Sequence, residues 1–151
     1  MNIRELKNSD REMMQTFFDN MSERTVSFFN VNRGNEKRTM EFFKNGKKDH
    51  RFFVVTDENE IIALSFFWDI DTSIPWFGIA VSDNYQGQGI GTRLTEYVFS
   101  VLKAEGYGGL FLRTAVGNIS AQQLYEKCGF ERIGTHPSGE YLYIKRWKTD
   151  D

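Results

Sequence analysis

Tyr85-Gln86-Gly87-Gln88-Gly89-Ile90-Gly91-Thr92 decides the reading of this chain, because it sets three glycines between an apolar strand and an amphipathic helix. Upstream, Trp76-Phe77-Gly78-Ile79-Ala80-Val81 reads as a buried strand. Downstream, Leu94, Tyr97, Val98, Val101 and Leu102 recur at helical spacing as one apolar stripe. Glycines in such a turn let backbone N–H groups converge on an anion without interference from Cβ atoms, and the positive end of the following helix adds roughly half a unit charge. The group expected there is a pyrophosphate. Two rival readings fail on spacing. A P-loop needs a Lys and a Ser/Thr after its last glycine, and Gly91 is followed by Thr92 and Arg93. A dinucleotide fingerprint needs Gly-x-Gly-x-x-Gly, whereas the glycines here are Gly87, Gly89 and Gly91. Gln/Arg-x-x-Gly-x-Gly/Ala is the pattern satisfied, by Gln86, Gly89 and Gly91.

Beyond the helix, Gly106-Tyr107-Gly108-Gly109 reads as a turn and Leu110-Phe111-Leu112-Arg113 as a short strand. The next stretch is Asn118-Ile119-Ser120-Ala121-Gln122-Gln123-Leu124-Tyr125-Glu126-Lys127-Cys128-Gly129-Phe130, a short helix. Its start is either a capping box of Ser120 with Gln123 or a cap by Asn118, and Gly129 is its stop. From Trp76 to Arg146 the expected order is strand, glycine turn, helix, strand, short helix, strand.

These two motifs together resemble the acetyl-CoA-dependent N-acetyltransferase superfamily (GNAT). The resemblance rests on Gln86-x-x-Gly89-x-Gly91 and, about thirty residues on, Asn118-x-x-Ala121-x-x-Leu124-Tyr125-Glu126-Lys127-x-Gly129-Phe130. It is close from Phe77 to Gly134; the N-terminal half shares only the order of elements. It implies an α+β fold: a central mixed, mostly antiparallel sheet, splayed at the acyl-CoA site and flanked by helices. It also implies acetyl-CoA as cosubstrate, held by backbone groups of Ile79, Ala80 and Val81 along the pantetheine arm and by N–H groups of Gln86, Gly87, Gln88, Gly89, Ile90, Gly91 and Thr92 at the pyrophosphate. Asn118 would contact the pantetheine or cap its helix. Transfer would be direct, in a ternary complex with no acyl-enzyme.

Tyr125 is the expected general acid. A phenol of pKa about 10 is protonated at neutral pH and lies only a unit or two above a thiol of about 8.5, so it can quench a leaving thiolate. The base is open among Asp69, Asp71, His136, Glu140 and ordered water. An amine acceptor of pKa near 10 is neutral in about one molecule per thousand at pH 7, so a proton must be removed. The acceptor is expected to be a small molecule in a pocket lined by Phe28, Phe29, Phe67, Trp68 and Trp76, with Arg33 as a further contact. A protein N-terminus or lysine is the alternative acceptor. Two other classes compete: a non-catalytic acyl-CoA sensor, which has no use for Tyr125, and a nucleotide-binding protein, which lacks the lysine.

Bulk properties agree with one domain over residues 1–151, long enough for its own core, to which fourteen Phe, six Tyr and three Trp contribute. A net charge of −2 gives no field for nucleic acid or an acidic membrane, and Lys44, Lys47, Lys48, His50 and Arg51 read as a solvated basic run. One cysteine excludes an internal disulfide, and no segment reads as a leader or membrane span, so a cytoplasmic location is expected. Cys128 reads as a packed small hydrophobe rather than a nucleophile. With two His and one Cys no metal site is expected. Trp147 suits either a homodimer interface or packing on the sheet.

In the N-terminal half, Ile3-Arg4-Glu5-Leu6 reads as a strand, and Ser9 with Glu12 as the capping box of a helix carrying Met13, Met14, Phe17, Phe18 and Met21. Asn32 to Asn35 reads as a turn, followed by a short helix with Met40, Phe42 and Phe43. Phe52 to Val55 and Ile61 to Trp68 read as strands joined through Asp57-Glu58-Asn59-Glu60, and Tyr141 to Arg146 as the closing strand.

Overall fold

A computed structural model describes residues 1–30, 34–46 and 49–147. Arg33, Lys47 and Lys48, assigned above to an acceptor contact and a basic run, lie outside the described residues. Among the described residues, seven strands make one sheet in the order β1-β2-β3-β4-β5-β7-β6. They are β1 (Asn2–Glu5), β2 (His50–Asp57), β3 (Glu60–Trp68), β4 (Trp76–Val81), β5 (Gly109–Thr114), β6 (Glu131–Thr135) and β7 (Tyr141–Arg146). The α-helices among the described residues are α1 (Arg11–Asp19), α2 (Glu23–Asn30), α3 (Asn35–Asn45), α4 (Ile90–Ala104) and α5 (Ile119–Lys127). Every neighbouring pair is antiparallel except β4 and β5. The expected mixed, mostly antiparallel α+β architecture is present.

Both sheet faces are covered near the centre, which explains the continuous apolar runs of β2 and β3. Successive side chains alternate: Phe52, Val54, Leu64 and Phe66 join Met14, Phe17, Phe18 and Phe29 under α1 to α3, while Phe53, Val55, Ala63 and Phe67 join Leu94, Val98 and Leu102 of α4. The stripe of α4 is thus the row Ile90, Leu94, Val98, Leu102. Tyr97 stays 37% exposed, its ring edge-on to Phe53.

Several sequence expectations are corrected. The Ser9–Glu12 box does not start α1; the helix begins after Asp10, whose buried carboxylate takes two hydrogen bonds from Arg4 (2.7 and 2.8 Å) and one from the Lys7 N–H (2.8 Å). The Arg4 guanidinium holds the Asp10 carboxyl below the usual carboxylate range. Ser22 opens α2, a helix the sequence reading had not separated, by accepting from the Thr25 N–H. Asn35 is the first residue of α3 rather than part of a turn, and the left-handed bend falls on Gly34 (φ 58°). Between Gly129 and Tyr141 the sequence reading placed no strand, yet β6 pairs there with β7. Its five residues are all exposed, so it carries no apolar alternation to read. Trp147 packs edge-on to Phe99, and its indole N–H donates to the Tyr107 carbonyl.

Candidate active site

The site grows from the one parallel junction. β4 and β5 pair only at Trp76 and Phe111, supported by the Phe111 N–H donating to the Pro75 carbonyl, and diverge beyond it. β4 meanwhile keeps its full register with β3, Val81 opposite Ala63 through Trp76 opposite Trp68. In an antiparallel ladder alternate N–H groups serve the neighbour. Ser82 N–H donates to Ile62 O, so the amides of Ala80 and Gly78 face β3 and those of Ile79 and Val81 face the gap left by β5. The sheet therefore opens as a V with unshared backbone donors along one arm.

A cavity of about 710 Å³ occupies this opening. At its outer end is the glycine turn. Gly87 (φ 77°) and Gly89 (φ 80°) are left-handed, and the space where their Cβ atoms would stand is open. Gly89 precedes the first residue of α4, so the N–H groups of the first helical turn have no earlier carbonyls to bond. Gly91 is small for a different reason: a Cβ there would sit 3.1 Å from Leu124, so its absence lets α5 close against the turn.

Of the residues expected to hold the donor, all but Gln88 line this one cavity. The Gln88 amide folds back to donate to the Asn84 carbonyl (3.2 Å). Tyr125 lines it too, from the α4 and α5 face. It is buried, and its ring packs against Phe130 and Tyr143. Phe130 N–H donates to the Tyr125 carbonyl (2.9 Å) around Gly129, a left-handed helix stop that fixes the last turn of α5. Asn118, not Ser120, caps that helix, accepting from Ala121 N–H (3.3 Å).

The opposite wall differs from expectation. Phe28 and Phe29 line the cavity, but Phe66 joins them in place of Phe67, Trp68 and Trp76. Phe67 points to the α4 face and is fully buried there. Trp68 and Trp76 stack on one another (6.2 Å between centroids) away from the cavity. Phe66 reaches it because Gly78 stands opposite: a Cβ there would fall 2.4 Å from the Phe66 ring.

None of the four side chains considered as base lines the cavity. Asp69 and Asp71 are exposed in the turn before β4. His136 accepts at Nδ1 from the Ser138 N–H (3.1 Å), and its ring stands 3.1 Å from Arg113 Nη1. Glu140 is buried beside Ser138, 3.1 Å from its hydroxyl. Cys128 is buried, and burial pushes its thiol up, which suppresses the thiolate a nucleophile needs.

Two features of the site have no counterpart in the sequence reading. Arg113 of β5 and Asn35 of α3 reach its lining, and Asp83 ties its two sides together. The Asp83 carboxylate accepts from Ser22 N–H (2.7 Å) and Thr25 hydroxyl (2.6 Å) at the start of α2, and from the Gln86 amide (3.3 Å) in the glycine turn. Burial pushes this carboxyl up, but the bonds from Thr25 and Ser22 outweigh it and leave it below the usual range.

Among the described residues no helix is long and apolar enough to cross a membrane, and no group of three or more His, Cys, Asp or Glu could hold a metal ion.

Comparison with known proteins converges on one family. The model of the acetyltransferase (GNAT) family matches residues 12–130. Probable N-acetyltransferase family 8 member 5 of Mus musculus is 40% identical over 71 residues, 47% of this chain and 30% of that protein. The ribosomal protein bS18 alanine N-acetyltransferase of Escherichia coli (strain K12) is 30% identical over 89 residues, 59% of this chain and 60% of that protein. The chain thus spans about a third of the first relative and 60% of the second. In fold it is similar to the GNAT domain of S. lividans PAT, with a TM-score of 0.81 at 16% identity over 96% of this chain and 89% of that one.

Proposed function

The chain belongs to the acetyltransferase (GNAT) family, and on that premise we propose that it transfers an acetyl group from acetyl-CoA to a primary amine of a small molecule, by direct attack in a ternary complex. The observation that carries the reading is the convergence, on one cavity, of the open β4 edge, the left-handed glycine turn and Tyr125. Acetyl-CoA supplies an activated acyl group and a thiolate as leaving group. Its pyrophosphate belongs at the N–H groups of the glycine turn and the first turn of α4. The arm beyond it suits the outward amides of Ile79 and Val81, as a ligand adds to a sheet edge.

Tyr125 donates the proton that quenches the thiolate; its position on the α5 wall, with its helix pinned at Gly129, supports that role. The proton of the acceptor ammonium leaves through water: Asp69, Asp71, His136 and Glu140 do not border the cavity, and the carboxylate that does, Asp83, is held by Ser22 and Thr25. Cys128 takes no part, in keeping with a mechanism without an acyl-enzyme. An aromatic wall of Phe28, Phe29 and Phe66 favours a small acceptor. Similarity to a protein named for acetylating an alanine of bS18 keeps a polypeptide N-terminus as the second reading.

The test is release of CoA thiol from acetyl-CoA against amino acids, polyamines, amino sugars, aminoglycosides and peptides with free N-termini, with acetyl-CoA binding measured in the same samples. Release with one amine class is the expected result. Binding without release would point to a sensor, and absence of binding would overturn the donor site.

A further inference from the structure

Among the described residues, three buried side-chain polar atoms lack a hydrogen-bond partner: Asn35 Oδ1, Ser65 Oγ and Arg113 Nε. Such atoms destabilise the fold unless something satisfies them. Two of the three belong to residues of the cavity wall, Asn35 and Arg113, and both stand on the side opposite Tyr125.

Arg113 sits level with Gly78. Each is two residues past the Trp76 and Phe111 junction on parallel strands, and both share the sheet face of Phe66. Its guanidinium lies over the Trp76 ring (5.6 Å) and is bonded through Nη1 alone, to His136. Glu140 is its ion-pair partner, with the carboxylate 4.0 Å from Nε and so beyond hydrogen-bond reach. Arg113 therefore keeps donors that the fold leaves unspent where the V closes. Asn35 is 3% exposed, and its amide orientation is set because Nδ2 donates to the Phe29 carbonyl. A flipped amide would bring two oxygens together, so Oδ1 is the unpaired end.

Resting on the acetyl-transfer reading, we propose that the acceptor is an apolar α-amino compound, a free amino acid or a peptide amino terminus. Arg113 binds its carboxylate or amide carbonyl oxygen, and the wall of Phe28, Phe29 and Phe66 takes its side chain. Asn35 Oδ1 receives an N–H of the same acceptor. A cationic Arg113 on the acceptor wall disfavours polyamines and other polycations.

The test is kcat/KM for phenylalanine, phenylalaninamide, a dipeptide beginning with Phe, phenethylamine and spermidine, with wild type, Arg113→Gln and Arg113→Lys. Phenethylamine lacks only the carboxyl group. Wild type should prefer the three oxygen-bearing acceptors to it by about tenfold or more, since a site built for a polar group rejects the analogue without one. Arg113→Gln should shrink that gap to about twofold, through acceptor KM, with acetyl-CoA affinity unchanged. The ranking of phenylalanine against the dipeptide then separates free amino acid from peptide. If Arg113→Gln loses acetyl-CoA binding, Arg113→Lys carries the same test: a point charge replaces the planar fork, so the preference for the amide falls while that for the carboxylate is partly kept. Phenethylamine or spermidine as the best acceptor, or a gap that survives in both variants, overturns the proposal and leaves acetyl transfer standing. Acetyl-CoA binding with no transfer to any amine overturns both.

Discussion

α4 and α2 border one cavity from opposite faces of the sheet, and they are begun in opposite ways. α4 starts from left-handed Gly89 with no side-chain cap, leaving its first N–H groups for a ligand. α2 starts from Ser22, whose hydroxyl accepts from Thr25 N–H, and its N–H is taken by Asp83. On the proposed reading the donor side works through bare backbone. The acceptor side works through side chains held by one another. A substitution on either side should move different kinetic quantities.

The largest effect is expected where the two sides meet. Tyr125→Phe removes the proposed proton donor and keeps the ring contacts with Phe130 and Tyr143, so kcat should fall about 100-fold while acetyl-CoA affinity holds. An unchanged kcat would make Tyr125 a packing residue. On the donor side, Gly89→Val forces a β-branched residue to φ 80°. At about 1 to 2 kcal/mol or more of strain, acetyl-CoA should bind about tenfold more weakly with acceptor KM little altered. Calorimetry on the variant checks the first figure and steady-state kinetics the second.

Asp83→Asn addresses the tie between the sides. It replaces an acceptor of several hydrogen bonds with an amide that also donates, so α2 loosens and acceptor KM should rise about threefold to tenfold, with a smaller change for acetyl-CoA. The pH dependence has a definite sign. The folded Asp83 carboxyl lies below its ordinary value, so the contact is complete above about pH 4 and is lost only as pH falls through the lowered value. Acidifying from neutral to about pH 5 should therefore not mimic Asp83→Asn. The smallest effect belongs to Cys128→Ala, where the rate should change by less than about twofold. Loss of activity, or a mass shift of one acetyl group on wild type, would argue for an acyl-enzyme.

The same contrast explains what the sequence made legible. A site built from backbone is encoded by local signals: absent Cβ atoms at Gly87, Gly89 and Gly91, a cap at Asn118, a stop at Gly129. These are contiguous and can be read in order. Asn35, Phe66 and Arg113 come together only through α3, β3 and β5, and no spacing connects them. The misplacement of Phe67 is instructive. β3 is buried on both faces, so alternation gives no parity, and which of Phe66 and Phe67 meets the cavity depends on which helices cover which face. β6 escaped because an exposed edge strand with Ile133 as its one large apolar residue carries neither period. α1 was found but its cap was not, because Arg4 of β1 recruits Asp10 from another element.

Amide hydrogen exchange with and without acetyl-CoA tests the central claim most directly. Protection should rise at Ile79 and Val81 and across Gly87 to Thr92, while Ala80, already bonded toward β3, and the amides of α1 change little. Unchanged exchange at Ile79, Val81 and the glycine turn under saturating acetyl-CoA, or protection confined to other segments, would contradict a donor site built on the open edge of β4.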